Sequence, residues 1–400
     1  MTDRKLRVLC LDIEGGYGGS SRSLFQSLRH MAGGELDIQV WCRKDGPIQE
    51  RYRDLDIGCR VEPDMPTVTS LPRVSRNLLA FARFGLKWMR SRSFRRRLLE
   101  ACRDVDLVHL NHESLFWLAR WLARHSNVAL TMHVRTRPQP TGFARLQYRT
   151  IASAVDHTVF ITENEHRHAE FLAARAIEGS AIYNIPADVD DSTQPHPLVP
   201  RDRRLKAGVL ANYDWVHGTD RLVDVAEALR RMARTDIVFI MAGNMTLSRS
   251  LPGELGAIGR RGGGLDDYVK ERDLGDYFIF LGHVSEPEQV LAACDVLAKP
   301  TRGHNPWGRD IIEAMAAGIP VLTVGSWNRF VEHGMTGIMH PEFDASAMAG
   351  DLAHLADQRC LLTELGTRAR DRIMTLCNGP DRAADLAAAW RRAVTAHSLS

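Results

Sequence analysis

The chain has 400 residues, 44% hydrophobic and 25% charged, ordinary values for a folded globular chain and long enough for two cores. Its 52 basic and 49 acidic residues leave a net charge of +3, which does not by itself point to nucleic acid. Seven scattered cysteines, odd in number and without a Cys-x-x-Cys pair, fit a reducing compartment and argue against a disulfide framework or a zinc site. No apolar run approaches a membrane span, and the first residues lead straight into a strand rather than a signal peptide, so a cytoplasmic protein is expected.

In chain order, Leu6–Asp12 reads as a first strand, followed by a glycine-rich turn at 14–19. Those glycines let backbone N–H groups approach an anion, and Ser20 or Ser21 is placed to cap the next helix, whose apolar stripe is Leu24, Leu28 and Met31. The loop does not match a dinucleotide fingerprint, because no acidic residue ends a second strand about twenty residues on. Ile38–Cys42 is the second strand. Residues 73–103 then hold ten Lys or Arg against one acid, Glu100, with Leu78, Leu79, Phe81, Phe84, Leu86, Trp88 and Met89 interleaved. A basic helix of this kind suits an anionic membrane surface, where each cation contributes roughly 1 kcal/mol; a solvated face over a core face is the plainer reading. A nucleic-acid reading has no motif to support it.

Val105–His112 is a strand ending in polar residues; its spacing puts His109 and His112 on opposite faces, which disfavours a shared metal. Val128–Met132 is a strand leading into His133, at the carboxyl end where ligands collect in parallel sheets. Ala154–Thr162 is another strand, with Thr162 capping a helix from Glu163. Residues 191–204, with three prolines and several charges, read as a linker. A second domain opens on the strand Lys206–Ala211 and a helix from Thr219 to Ala233. Asp236–Gly243 and Tyr277–Ser285 contain two more strands, separated by a glycine-rich insertion at 245–264.

The most informative stretch is 295–325, which reads as strand, loop, helix and strand. Val296–Ala298 ends at Pro300, and Thr301–Gly308 is loop. Arg309–Ala317 is a helix stopped by Gly318, and Pro320–Val324 is a buried strand. The helix start offers free N–H groups to a phosphate, and Glu313, one turn inside, can accept hydrogen bonds from vicinal sugar hydroxyls.

Pro306, Trp307, Gly308, Glu313, Ala314, Met315, Ala316, Gly318, Pro320 and Val321 form an ordered set that resembles the signature of family-4 glycosyltransferases with the GT-B fold. Gly18, Gly19, Ser20, Arg22, Ser23 and Leu24 resemble the glycine-rich opening of the same family. The resemblance implies an α/β chain of two Rossmann-like, doubly wound parallel-sheet domains facing each other across a cleft. The expected boundaries are 1–195 for an acceptor-side domain, with a C-terminal helix at 380–397 packing back on it, and 201–376 for a nucleotide-sugar domain. It further implies a retaining transfer of a sugar from a nucleotide-sugar donor to a glycan or lipid-linked acceptor, in bacterial-type polysaccharide or glycolipid assembly. The expected chemistry is front-face displacement, in which the leaving diphosphate takes the acceptor proton.

By the same resemblance, Gly18 and Gly19 face the donor diphosphate, His133 points at the donor sugar, and Gly282, His283 and Val284 cradle the base. Trp307, Gly308 and Arg309 present donors to sugar and phosphate, and Glu313 holds the ribose. Three positions depart from the family pattern: Asn305 stands for a glutamate, Asn212 for an arginine and His217 for a lysine. Arg302, Arg309 and Arg329 are the candidates to replace the missing cations. No cofactor and no metal are implied, and the expected partners are the donor, the acceptor and an anionic membrane surface met by residues 73–103, with the protein peripheral on the inner face of the cell membrane. The departures keep alternatives open: a catalytically impaired homologue that binds glycan or sugar nucleotide, or a nucleotide-sugar epimerase or hydrolase on the same fold.

Overall fold

The computed structural model describes residues 4–16, 18–68, 78–188, 190 and 192–399. The chain divides into two compact units, Met1–Ile185 with Asn378–Ser400, and Pro186–Cys377. The first unit runs β1 (Leu6–Asp12), α1 (Gly19–Arg29), β2 (Leu36–Cys42), α2 (Ile48–Asp54), β3 (Gly58–Val61), α3 (Leu78–Arg90), α4 (Arg92–Ala101), β4 (Leu107–Leu110), α5 (Phe116–His125), β5 (Ala129–Val134), α6 (Gly142–Ala154), β6 (His157–Phe160), α7 (Glu163–Ala173) and β7 (Gly179–Ala181).

Its strands form a parallel sheet in the order β3-β2-β1-β4-β5-β6-β7. Helices cover both faces, so β4 and β5 are buried along their whole length rather than alternately, with His109, Thr131 and His133 as their buried polar residues. Strand order reverses between β1 and β4, and a crevice at the carboxyl ends of the strands opens at such a reversal. Ser20 and Ser21 do not cap α1: Gly18 is the cap residue, and Ser21 lies inside the helix with its hydroxyl on Asp12.

The basic stretch forms two helices, α3 and α4, broken at Ser91, whose hydroxyl donates to Trp88 O at 2.7 Å. Residues 69–77, with Arg73 and Arg76, lie outside the described residues, as do the side chains of Leu78, Leu79 and Phe81. Of the interleaved aromatics, Phe84 and Trp88 turn inward. Phe84 packs on Trp88 and Trp117, Trp88 on Trp121, and Arg95 stacks over both Trp88 and Trp121. Arg97 pairs with Glu62. Outward remain Arg83, Lys87, Arg90, Arg92 and Arg96, with Leu86 and Met89.

The second unit runs β8 (Leu205–Leu210), α8 (Arg221–Arg231), β9 (Ile237–Ala242), α9 (Gly253–Arg260), α10 (Leu265–Glu271), β10 (Phe278–Gly282), α11 (Pro287–Leu291), β11 (Val296–Lys299), α12 (Arg309–Ala316), β12 (Val321–Val324), β13 (Gly337–His340), α13 (Ala345–Asp357) and α14 (Arg359–Leu376). Its parallel sheet has the order β10-β9-β8-β11-β12-β13, with the reversal between β8 and β11. The stretch 191–204 is not a loose tether: Val199 is buried against Val238, Ile240 and Val290, and His196 N donates to Gln289 O at 2.9 Å. The expected glycine-rich insertion contains a helix, α9, and its Gly264 begins α10.

Helix α15 (Gly379–Leu399) returns the chain to the first unit. Its Trp390 is fully buried, and the indole N–H donates to His109 Nδ1 at 3.3 Å.

Gly318 ends α12 at φ 74°, and its carbonyl comes so close to α14 that a Cβ on Gly366 would stand 1.9 Å from it. Glycine to alanine inside a helix normally stabilises by about 0.5–1 kcal/mol. Here Gly366→Ala should instead cost about 1–3 kcal/mol through overpacking against backbone. Thermal denaturation checks this, and a raised Tm would refute the close contact.

Candidate functional site

In the second unit, two loops at the β8/β11 reversal are tied into one wall. Arg302 N and Gly303 N donate to Val216 O at 2.9 and 3.2 Å. The Arg302 guanidinium grips Asp220 through Nη1–Oδ1 at 2.8 Å and Nη2–Oδ2 at 2.5 Å, and lies 3.6 Å over the Trp215 ring. Arg221 Nη1 reaches Pro300 O and Thr301 O. Arg302 therefore serves the wall and is already committed to a carboxylate, which argues against its replacing a missing phosphate cation.

That wall presents the start of α12. Gly308 is its cap residue, at φ 134°, and the first N–H groups of the helix lie outside its hydrogen-bond ladder. Trp307 is buried, its indole edge-on to Trp327, so its side chain belongs to the core and only its backbone faces the loop. Asn305 is half-buried and its Oδ1 accepts from the Thr301 hydroxyl. Arg309 and Glu313, expected to meet phosphate and ribose separately, are bonded to each other across one helical turn, with side chains 14% and 11% exposed.

Glu313 lines a cavity of about 260 Å³ with Asp188, Asp190, Thr193, Glu288, Leu291, Ala292 and Ala317. Its carboxylates accept hydrogen bonds and its alanines and leucine make an apolar floor, so it suits a flat group that brings hydroxyl donors and no negative charge. The segment 183–190 resembles a family segment that ends the first domain, but its two carboxylates, Asp188 and Asp190, are not among the expected site residues.

The expected base-binding trio divides. Gly282 and His283 line a separate open pocket of about 620 Å³ with Asn244, Thr246, Asp266 and Asp267, whereas Val284 packs on the apolar cluster of Val238 and Val290. Asn212 is exposed; its Oδ1 accepts from Asn244 N at 2.8 Å and its carbonyl accepts from His217 Nδ1 at 3.2 Å. A carbonyl only accepts, so the His217 proton sits on Nδ1. His217 shares a narrow crevice with Thr219, Lys299 and Asp310. The Thr219 hydroxyl is buried there without a partner among the described residues.

Lys299 is the second residue that sequence reasoning missed. It ends β11 only 9% exposed, and its Nζ donates to Trp307 O at 2.7 Å and to Asp310 Oδ1 at 2.8 Å. A Cβ on Gly308 would come within 2.9 Å of that ammonium. The glycine thus lets the helix start lie directly on a buried cation. Arg329 is exposed, and its carbonyl accepts from Arg372.

In the first unit, a polar network closes the carboxyl ends of β1, β4 and β5. Asp12 is fully buried; Ser21 and Asn111 Nδ2 donate to its carboxylate. Burial raises its pKa, while both hydrogen bonds and Arg135 pull the other way. Gly18 and Gly19 begin α1, and the space over Gly18 is filled by the Glu14 carboxylate, since a Cβ there would meet Glu14 Oε2 at 1.6 Å. His133 is buried at 5% exposure, and Arg135 Nη2 lies 3.1 Å from its Nδ1. Arg135 was missed, although strand alternation puts residues 133 and 135 on one side. His109 and His112 do not converge: His109 Nδ1 meets Thr131, and His112 Nδ1 accepts from Ser114 N. Among the described residues, no three His, Cys, Asp or Glu side chains gather as a metal-ligand set.

Two protein families match: one described as Glycosyltransferase Family 4 over residues 17–184, and one described as Glycosyl transferases group 1 over residues 204–358. Among curated proteins, the chain is 25% identical over 268 residues to a phosphatidyl-myo-inositol mannosyltransferase of Mycobacterium leprae, covering 63% of this chain and 64% of that one. It is 30% identical over 118 residues to the protein of the same name from Mycolicibacterium smegmatis, covering 28% and 31%. The matches thus span less than two thirds of these relatives' length. Among solved structures, Anabaena Alr3699/HepE in complex with UDP and glucose superposes with a TM-score of 0.72 at 18% identity, over 96% of this chain and 98% of that one. Sucrose-phosphate synthase from Thermosynechococcus elongatus gives 0.71 at 17%, over 98% and 100%. At these identities the likeness establishes the shared fold.

Proposed function

We propose, for a chain that belongs to the family-4 glycosyltransferases of GT-B fold, that it transfers a sugar from a nucleotide-sugar, with retention, to a glycan or lipid-linked acceptor. The observation that carries this reading is Glu313, held one turn inside α12 by Arg309 and lining a cavity of hydroxyl-accepting carboxylates. The donor's ribose hydroxyls answer Glu313, and its diphosphate takes the N–H groups at Gly308 and Arg309. Asn305 and His133 hydrogen-bond the sugar. With the diphosphate as its own proton acceptor, the protein supplies positioning and charge stabilisation. The solved relative whose complex holds UDP and glucose supports the donor class. The acceptor class leans on the mannosyltransferases, whose printed names specify phosphatidyl-myo-inositol.

A second reading has its own support. Asn212, His217 and Asn305 stand where the family carries two cations and a carboxylate, and the guanidinium groups of Arg302 and Arg309 are already bonded to acids. On that reading the protein binds sugar nucleotide without transferring sugar. Incubation with UDP-, GDP-, ADP- and TDP-sugars, with and without candidate acceptors, separates the two. Acceptor-dependent release of nucleoside diphosphate supports transfer. A thermal shift with one donor and no release under any condition supports binding alone.

We also propose that the cationic face of α3 and α4 docks on an anionic membrane. No helix among the described residues is long and apolar enough to cross one. Because Phe84 and Trp88 point inward, contact there is electrostatic, with Leu86 and Met89 the large apolar side chains exposed among the described residues of α3. Binding to phosphatidylglycerol vesicles should therefore be lost between about 0.05 and 0.5 M salt. It should also fall in Arg90→Glu/Arg92→Glu/Arg96→Glu. No co-sedimentation at low salt would remove the claim.

A further inference from the structure

We propose that Arg135 is a positioning residue that locks His133 as the neutral Nε2–H tautomer, so that the ring acts as a fixed hydrogen-bond donor and exchanges no proton with substrate. The identity of the recipient, a donor-sugar hydroxyl, rests on the reading above; the tautomer does not.

A guanidinium has donors only and stays charged. Its Nη2 lies 3.1 Å from His133 Nδ1, so Nδ1 has to offer a lone pair and the ring proton resides on Nε2. The guanidinium is itself fixed. Nε donates to Asn111 O at 3.1 Å, Nη2 to Asn111 Oδ1 at 2.5 Å and Nη1 to Asn184 Oδ1 at 3.2 Å. Asn111 is anchored in turn, because its Nδ2 donates to Asp12 Oδ1 at 3.1 Å and to Ser20 O at 3.0 Å. The register of ring and guanidinium is therefore set by β1, β4 and β5 together.

The neighbouring ring obeys the same rule. His109 sits 5.8 Å from His133, edge to face, and its Nδ1 faces the Trp390 indole N–H at 3.3 Å and the Thr131 hydroxyl at 2.9 Å. An indole nitrogen only donates, so His109 too keeps its proton on Nε2. The charged and titratable groups acting on His133 are Arg135 on its own strand, His109 on β4 and His112 just beyond it. From α15, Trp390 packs against His109 and does not titrate. Burial and the Arg135 charge both disfavour imidazolium and hold the His133 pKa well below its ordinary value. That agrees with the geometry.

What remains is His133 Nε2, buried and without a hydrogen-bond partner among the described residues. A donor left in that condition is an acceptor-seeking group, and a sugar hydroxyl answers it. Because the ring stays neutral, its contribution does not change across physiological pH. A histidine acting as general acid or base would show an inflection there.

Nitrogen-15 spectra of the full chain labelled at histidine test this, with His133 assigned by His133→Gln. Wild type should show one Nε2–H tautomer, unchanged from roughly pH 5.5 to 8. Arg135→Met should give exchange between the two neutral tautomers, and Arg135→Lys should restore part of the wild-type pattern. If transfer is found, kcat of Arg135→Met should fall about tenfold or more. A protonated Nδ1 in wild type, or an Arg135→Met spectrum matching wild type, overturns the proposal. The correct tautomer with no activity on any sugar nucleotide leaves Arg135 in this role and removes the transferase reading instead.

Discussion

Replacing Glu313 with alanine should weaken nucleoside diphosphate binding about 100-fold. Two ribose hydroxyls donating to a carboxylate make two charge-assisted hydrogen bonds, each contributing about 1.5–3 kcal/mol, and about 3 kcal/mol corresponds to a little over two decades in Kd. Glu313→Gln keeps shape and one acceptor oxygen, so it should fall between wild type and alanine. Calorimetry on both variants reads the effect. The Tm of each without ligand must be recorded beside it, since Arg309 also loses its partner. Unchanged affinity in Glu313→Ala would take the residue out of the site.

The largest loss of stability is expected from Lys299→Met. The ammonium sits between the carbonyl of Trp307 and the carboxylate of Asp310, with the two charged side chains 10% and 16% exposed. Removing it strands a largely buried carboxylate, for which about 3–5 kcal/mol is the usual cost. For a unit of this size that is a fall in Tm of about 10 °C. The double variant Lys299→Met/Asp310→Asn should recover more than half of it, because the stranded charge is then gone. Additive losses would show that Lys299 contributes packing rather than pairing. The same substitution should slacken the turn at Gly308, so ligand affinity should drop along with stability.

The sequence made the strand–loop–helix–strand of β11, α12 and β12 readable because its punctuation is local. Pro300 and Gly308 bracket the loop, and Gly318 stops the helix at a positive φ. Local signals also set the cap at Thr162 and the last helix. The site was less legible wherever a side chain's meaning depends on a distant partner. Nothing near Lys299 in the sequence says that its charge is spent on residues eight and eleven positions later. Arg135 finds Asn111 and Asn184 through sheet pairing, and Glu14 folds over Gly18 by loop geometry alone. The candidate cations illustrate the same dependence: Arg302 and Arg309 look unpaired as sequence, and the fold gives each a carboxylate neighbour. Phe84 and Trp88 of α3, interleaved with the basic residues in the sequence, pack on Trp117 and Trp121 of α5.

The placement of α15 sets an order of events during synthesis. Trp390 and its neighbours Leu386 and Ala389 complete the core that β1 and β4 begin, yet the ribosome makes them after the whole second unit. The N-terminal half therefore waits, with an apolar groove open, through translation of every residue from Pro186 to Cys377. The intervening half has a core of its own. A released chain truncated after Cys377 should accordingly expose its early half to protease and to chaperones while its later half resists both.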